Sequence, residues 1–192
     1  MEAIESEERM NNWKRQLVGQ SDLEELGDKL REKGKKIVFT AGSWDLIHAG
    51  QCRYLEECAR NGDVLVVGVV GDRAISKVKG PNKPILGEKV RAEVLTYLRS
   101  VGFVTIVPEP SCQPSLGLLK PDVYVTVKED WTSDYKNTKE YRAVKKYGGK
   151  VLVVDRQSSK ISTSQIVARA IGGGLSDVLK DYMQYRKDPL KE

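Results

Sequence analysis

The fold is decided by one stretch of the chain, Lys36-Ile37-Val38-Phe39-Thr40-Ala41-Gly42-Ser43-Trp44-Asp45-Leu46-Ile47-His48-Ala49-Gly50-Gln51. Residues 36–40 are mostly apolar and β-branched, which predicts a strand. The small residues after them predict a turn, and a helix is predicted over Ala49–Arg60. The stretch therefore leads from a strand to a helix N-terminus, whose unpaired N–H groups and partial positive charge attract phosphate.

His48 is the only histidine of the chain, and the predicted turn delivers it to the start of that helix. An imidazole there can lend a positive charge or a proton to an oxyanion, provided that a bound phosphate keeps it protonated. A lone histidine is more often a helix cap or a core residue. The residues by themselves leave this alternative open.

Strands and helices are predicted to alternate along the rest of the chain. Further strands are predicted at Val64–Val70, Phe103–Val107, Val123–Val127 and Val151–Val154, and further helices at Glu88–Ser100, Ser115–Leu119, Tyr135–Tyr147 and Ser164–Ile171. This order predicts an α/β fold with a doubly wound, five-stranded parallel sheet. Ligands of such sheets bind beyond the carboxyl ends of the strands, where the winding reverses.

The flanks are predicted to be helical extensions of a central domain. Residues 1–35 form the N-terminal extension, residues 36–171 the domain and residues 172–192 the C-terminal extension. In the first extension, residues 1–18 are predicted as one amphipathic helix, and a capping box at Ser21–Glu24 is predicted to open the helix Asp22–Lys33. In the last, a helix is predicted over Leu175–Arg186 after a glycine break.

Composition excludes several classes of protein. The 192 residues are 40% apolar and carry 32 basic against 27 acidic groups, for a net charge of +5 and a pI near 9.0. The charges are interspersed, so no nucleic-acid partner is expected.

Three cysteines without paired spacing argue against disulfides, and a single histidine argues against a zinc site. No apolar run is long enough for a membrane span, and the acidic start is unlike a signal peptide, so a cytoplasmic protein is expected.

Residues 42–51 carry a motif that resembles the nucleotidylyltransferase superfamily, with its G-x-F-D followed by H-x-G-H. Two positions depart from the pattern, since Trp44 replaces the usual phenylalanine and Gln51 the second histidine. The resemblance implies a Rossmann-like fold in which His48 and Gln51 are catalytic. It implies nucleotide binding by five further residues: Ala41, Gly42, Trp44, Asp45 and Gly50. From the residues alone, Asp45 is expected either to cap the following turn or to order it near a triphosphate and magnesium.

Matches downstream extend the resemblance over the whole predicted domain. Lys79, in the predicted loop Lys77–Pro81, matches a K-G-P stretch of the adenylyltransferases and is implied to be a catalytic phosphate ligand, although a solvated surface lysine is the simpler alternative. Arg91 matches the arginine of R-x-x-x-L, and Asp130 the last acidic residue of G-D-D-W. Ser162 and Thr163 lie in Ile161–Ile166, which resembles I-S-T-S/T-x-I and predicts a hydroxyl-rich helix start. All four are implied to bind the nucleotide.

The resemblance implies transfer of AMP or CMP from ATP or CTP to a phosphorylated sugar or polyol, with release of pyrophosphate. The heptose-1-phosphate adenylyltransferase type is the first expectation. A glycerol-3-phosphate-type cytidylyltransferase and a nucleotide-binding regulator that lost catalysis at Gln51 are the alternatives. Mg²⁺ is expected as the cofactor, held by triphosphate oxygens, with no residue assigned as a metal ligand. A homodimer is also expected.

Overall fold

The computed structural model describes residues 12–128, 134–155 and 162–172, and the chain divides into two compact units, residues 1–157 and 158–192. The strands are β1 (Leu17–Val18), β2 (Ile37–Gly42), β3 (Val64–Val70), β4 (Phe103–Val107), β5 (Val123–Val127) and β6 (Lys150–Val154). The helices are α1 (Asn12–Gln16), α2 (Leu23–Glu32), α3 (Ala49–Ala59), α4 (Asp72–Lys79), α5 (Glu88–Thr96), α6 (Gln113–Leu119), α7 (Lys139–Lys146) and α8 (Thr163–Gly172).

The strands of the described part form one parallel sheet in the order β1-β4-β3-β2-β5-β6. The chain winds outward from β2 through β3 to β4, and then returns to add β5 and β6 on the other side of β2. The winding therefore reverses between β2 and β5, and the turn after β2 lies at this switch point. The prediction of a doubly wound parallel α/β sheet is confirmed.

The described residues already contribute six strands to the sheet, so the predicted number of five is wrong. Residues 17 and 18 were expected to continue an amphipathic helix, but α1 ends at Gln16 and the next two residues pair with β4. Leu17 lies opposite Val104, and Val18 opposite Thr105. Two apolar residues carry no period of their own, so an available sheet edge decides their conformation.

The structure corrects the predicted boundaries of several helices. Residues 72–79 form α4, although residues 77–81 were expected to be a loop, and Ala74 and Ile75 are the residues of this helix that are buried. The predicted capping box is absent: Ser21 Oγ donates to Asp22 Oδ1, and a 3-10 turn at Gln20–Asp22 precedes α2. Helix α5 ends at Thr96, four residues early.

The predicted helix Tyr135–Tyr147 is two elements in the structure. A 3-10 turn occupies Tyr135–Asn137, and Thr138 Oγ1 then accepts the N–H of Tyr141 as the N-cap of α7. The predicted helix Leu175–Arg186 lies outside the described residues, and the predicted domain boundaries stay predictions. No helix in the described residues has both the length and the apolar content for a membrane span.

The sheet is covered on both faces, as continuously apolar strands require. Helices α3 and α5 pack on one face, where Leu65, Val67 and Val69 of β3 point. Helices α2, α6 and α7 pack on the other, together with Val66. Strand β2 lies between the two cores. Its carboxyl end and the turn that follows lie outside them, at the carboxyl ends of the strands.

Candidate active site

The turn after β2 contains two strained residues. Trp44 and Leu46 have φ angles of 54° and 46°, a left-handed conformation that non-glycine residues adopt only when their surroundings hold them there. The Trp44 ring is buried, its Nε1 donates to the carbonyl of Gly68 on β3 at 2.8 Å, and it stacks on Tyr54 of α3. The indole therefore anchors the turn to β3 and α3.

Tyr54 ties together the three elements that meet at the switch point. Its hydroxyl lies 2.8 Å from Thr40 Oγ1 on β2 and donates to the carbonyl of Val125 on β5 at 3.3 Å. Because Tyr54 belongs to α3, the helix that His48 caps is fixed against both β2 and β5. The sequence offered no signal for this role beyond an aromatic on the predicted helix.

His48 is the N-cap residue of α3, as predicted, with an extended backbone at φ −139° and ψ 168°. Its Nδ1 atom is buried and has no hydrogen-bond partner among the described residues. Burial lowers the pKa of the imidazole below its ordinary value of 6.5, and the positive charge of Arg53 lowers it further. The imidazole is therefore neutral near pH 7 until a negative charge approaches it.

Gln51 caps the helix start. Its Oε1 accepts the backbone N–H of His48 at 3.2 Å, which is one half of a capping box. The amide group keeps two N–H donors. Gln51 therefore has a structural role that the motif comparison did not reveal.

Asp45 joins the turn to a distant segment. Its buried carboxylate accepts the backbone N–H groups of Ile85 and Leu86, at 2.9 and 3.0 Å. These contacts bind the connection between α4 and α5 to the turn after β2.

Arg91 has no exposed side-chain surface. Its Nε donates to the carbonyl of Leu86 at 2.9 Å, and its Nη1 to that of Ser43. Its Nη2 donates to the carbonyl of Val70 at 2.8 Å and to Asp72 Oδ1 at 2.7 Å. The structure thus places the predicted nucleotide ligand inside a network of protein acceptors.

Lys79 reaches the turn as the last residue of α4. Its Nζ donates to Ser43 Oγ at 3.0 Å, so an exposed ammonium lies beside the turn. Gly80 ends the helix with a φ of 94°. The structure therefore brings together Gly42, Trp44, Asp45, His48, Gln51, Lys79 and Arg91. Ala41 precedes Gly42, the last residue of β2, and Gly50 is buried in the first turn of α3.

Asp72 and Glu88 hold α4 and α5 together, and the sequence reasoning missed this pair. Glu88 Oε2 accepts the N–H of Asp72 at 2.8 Å, and Asp72 Oδ2 accepts the N–H of Glu88 at 3.1 Å. Each acidic residue is the first of its helix and follows a glycine. This shared Gly-acidic pattern was the available signal.

Asp130, Ser162 and Thr163 are the other residues that the motifs predict to bind the nucleotide. Asp130 is outside the described residues. Ser162 and Thr163 belong to the second compact unit, where Ser162 Oγ accepts the N–H of Gln165 at 3.2 Å at the start of α8. Ser162 therefore caps α8, the role that helix capping alone assigns to one hydroxyl of such a cluster.

Comparisons with known proteins agree with the motif. A family model described as Cytidylyltransferase-like matches residues 39–169. The bifunctional protein HldE of Gluconobacter oxydans is 41% identical over 151 residues, which are 79% of this chain and 31% of that protein. HldE of Alcanivorax borkumensis is 42% identical over 139 residues, 72% of this chain and 28% of that protein. The chain thus spans less than a third of the length of these relatives.

Solved structures show the same fold. A lipopolysaccharide core biosynthesis protein from Thermoplasma volcanium has a TM-score of 0.53 at 26% identity, over 67% of this chain and 100% of that one. A pantoate-beta-alanine ligase from Francisella tularensis has a TM-score of 0.50 at 13% identity, over 79% of this chain and 72% of that one, a likeness of fold alone. Since the family model covers more than half of the residues and its match contains the whole turn, this chain belongs to the cytidylyltransferase-like family.

Proposed function

We propose that the protein transfers a nucleoside monophosphate from a nucleoside triphosphate to a phosphorylated sugar or polyol and releases pyrophosphate. The observation that carries the proposal is the position of His48. It caps α3 at the switch point of the sheet, with the ammonium of Lys79 held beside the same turn. Free backbone N–H groups, an imidazole and a cation at one turn are the groups that a polyphosphate requires.

The chemistry is an in-line displacement at the α-phosphorus. An oxygen of the acceptor phosphate forms the new P–O bond, and the bond from the α-phosphorus to the bridging oxygen breaks, so pyrophosphate leaves with that electron pair. No covalent intermediate with the protein is needed. The chain's task is to orient two polyanions and to neutralise the charge that develops on the α-phosphate.

Each proposed group has a distinct part in this task. The N-terminus of α3 and His48 receive the α-phosphate oxygens, and the amide N–H groups of Gln51 supply a neutral second donor. Lys79 contributes a positive charge. Ser162 and Thr163 are proposed as further phosphate ligands and Asp130 as an acceptor for the base or sugar, on the strength of their motifs.

Mg²⁺ is proposed as a cofactor that travels with the triphosphate. The described residues contain no group of three His, Cys, Asp or Glu side chains that could hold a metal, and Asp45 already accepts two backbone N–H groups. This donor set fits an ion held chiefly by phosphate oxygens and water, as magnesium prefers. The ion would neutralise triphosphate charge.

The acceptor is proposed to be a heptose-1-phosphate and the nucleotide ATP. The HldE relatives and the lipopolysaccharide core biosynthesis protein favour this type over the glycerol-3-phosphate cytidylyltransferase type. We further propose that the protein is a cytoplasmic homodimer. It is proposed to have no nucleic-acid or membrane partner.

A pyrophosphate-release assay tests the proposal. ATP and CTP are each combined with heptose-1-phosphate and with glycerol-3-phosphate, and release is expected with ATP and the heptose. Lys79→Met should lower the rate, while Lys77→Met, which removes an exposed lysine of the same helix, is the matched control.

A thermal-shift measurement separates binding from catalysis. A triphosphate with Mg²⁺ at about 100 times its dissociation constant should stabilise the fold by about 2.7 kcal/mol. Stabilisation without pyrophosphate release from any acceptor would favour the regulatory protein instead. No shift with any common triphosphate would refute the site.

A further inference from the structure

The side chains of Asp45 and Arg91 both form hydrogen bonds with the backbone of Leu86. Its carbonyl accepts Arg91 Nε at 2.9 Å, and its N–H donates to Asp45 Oδ1 at 3.0 Å. Arg91 also donates to the carbonyl of Ser43, which immediately precedes the strained Trp44. We call this set, the Ser43 carbonyl, Asp45, the Leu86 backbone and Arg91, the Arg91 clamp.

The clamp holds both neighbours of Trp44, the first of the two left-handed residues of the turn. Ser43 and Asp45 are the two neighbours of Trp44, and each is held to Leu86 through the clamp. A left-handed non-glycine residue persists only when its surroundings hold it in place. In the same turn, Ser43 Oγ accepts a hydrogen bond from Lys79 Nζ. His48 follows Asp45 by three residues. Loss of the clamp would therefore displace both the imidazole and the ammonium.

Arg91 is unsuited to bind a phosphate itself. Its side chain has no exposed surface, and its nitrogens donate to four protein acceptors, including the carboxylate of Asp72 at 2.7 Å. A nucleotide would have to displace Asp72 from a buried guanidinium that it neutralises. Lys79, in contrast, is exposed beside the turn.

We propose that Arg91 is a positioning residue, which fixes the turn carrying His48 by holding Ser43 and Leu86, and that it is not a ligand of the nucleotide. The guanidinium is needed for its shape, because a planar fork with donors in several directions can serve these acceptors at once. A lysine carries the same charge but cannot reproduce the pattern. Only the catalytic consequence of this inference rests on the proposed function.

The test compares Arg91→Lys and Asp45→Asn with Arg99→Lys, an exchange at an arginine whose side chain is 91% exposed. His48 supplies a ligand-free readout, because the ring signals of a single histidine are unambiguous in NMR spectra. Arg91→Lys and Asp45→Asn should each shift those signals in the folded protein, whereas Arg99→Lys should leave them unchanged. A role confined to stability would lower the melting temperature without moving the His48 signals.

Turnover and nucleotide affinity give the second readout. Displacement of the turn should lower kcat about 10- to 100-fold, the usual effect of misplacing a reacting group by about 1 Å. The dissociation constant of ATP should change far less than kcat. A dissociation constant that rises as much as kcat/KM falls, with unchanged His48 signals, would overturn the proposal and make Arg91 a nucleotide ligand.

The two proposals fail separately. A wild-type protein that neither binds triphosphates nor releases pyrophosphate would refute the proposed function, while the His48 signals would still decide the role of the Arg91 clamp. Should Arg91→Lys fail to fold, Asp45→Asn removes one carboxylate acceptor from the same clamp at constant size. Unchanged His48 signals in folded Asp45→Asn protein would then overturn the inference.

Discussion

At the residue scale, Trp44 and Gln51, the two departures from the G-x-F-D and H-x-G-H motif, each form a hydrogen bond that stabilises the turn or the helix start. The Trp44 indole donates a hydrogen bond to Gly68 that a phenylalanine has no atom to make. The Gln51 carbonyl caps α3 by accepting the N–H of His48. Both departures therefore contribute to holding the turn, whatever they do to the chemistry.

The pKa of His48 should lie below 6.5 in the free protein and rise when a triphosphate binds. Burial and Arg53 lower it, whereas an adjacent negative charge favours the imidazolium. Proton NMR of the single histidine measures both values. An unchanged or lower pKa at saturating triphosphate would contradict an electrostatic role for His48.

The lowered pKa of His48 in the free protein makes the free energy of unfolding depend on pH. The unfolded chain binds a proton at His48 more readily than the folded protein does, because the folded pKa is the lower one. The contribution of His48 to the free energy of unfolding is therefore constant above about pH 6.5 and falls as the pH drops from there through the folded pKa. His48→Ala should remove this component from the acid limb of a denaturation profile.

Gln51→His should destabilise the protein by about 0.5–2 kcal/mol, the usual loss for a helix-capping contact. The sequence alone predicts little change, but the structure shows that the amide oxygen caps His48. Turnover should nevertheless rise as the pH falls, if the new imidazole faces the phosphates. Denaturant unfolding and the pH dependence of kcat separate the two effects.

Gln51→Glu is the matched control for that variant. It keeps the oxygen that accepts the N–H of His48 and adds a negative charge at a helix N-terminus, which stabilises a helix by about 0.3–1 kcal/mol. The same charge should weaken triphosphate binding. Unimpaired binding in Gln51→Glu would show that position 51 does not approach the phosphates.

At the element scale, α4 depends on a glycine to place Lys79. Gly80 follows the lysine with φ 94° and ψ 166°, a backbone region that essentially only glycine adopts. The C-terminal end of α4 is further tied by Ser76 Oγ, which donates to the carbonyl of Lys83 at 2.6 Å. The contact between Lys79 and Ser43 therefore relies on how the helix ends.

Gly80→Ala should lower the free energy of unfolding by about 1–3 kcal/mol and should also weaken triphosphate binding. The cause is conformational, since open space surrounds the position where a methyl group would lie. Gly117→Ala, inside α6 and equally open, should stabilise by about 0.5–1 kcal/mol. Equal effects of the two variants in denaturant melts would refute this account.

At the scale of the whole molecule, each face of the sheet contains one buried thiol. Cys58 packs in the core beneath α3 and α5, and Cys112 in the core on the opposite face. Burial raises the pKa of each thiol to about 12. At pH 8 such a thiol is only about 0.01% thiolate, which is the reactive form.

Native protein should therefore incorporate iodoacetamide at Cys52, which is partly exposed, much faster than at the two core thiols. In rising denaturant, Cys58 and Cys112 should become reactive together, because both cores share the sheet between them. Mass spectrometry of the labelled peptides reports each site. Labelling of one core thiol well before the other would show that the two faces open independently.

The sequence by itself determined the layers of the fold and the central turn. A continuously apolar, β-branched run such as residues 64–70 predicts a strand covered on both faces, and the alternation of such strands with helices favours a parallel sheet. The Gly42–Gln51 motif, together with its matches downstream, pointed to the family. Local pattern suffices for these features because burial and helix capping act over a few neighbouring residues.

Only the tertiary structure decided how the site is held together. Arg91 and Asp45 resemble ordinary surface or turn residues in the sequence, yet both bind backbone groups of Leu86. Leu17 and Val18 become a strand because an edge of the sheet is free to pair with them. Asp45 and Leu86 are 41 positions apart, and Leu17 lies still further from its partner Val104. The energy of such contacts depends on the folded arrangement and leaves no periodic trace in the sequence.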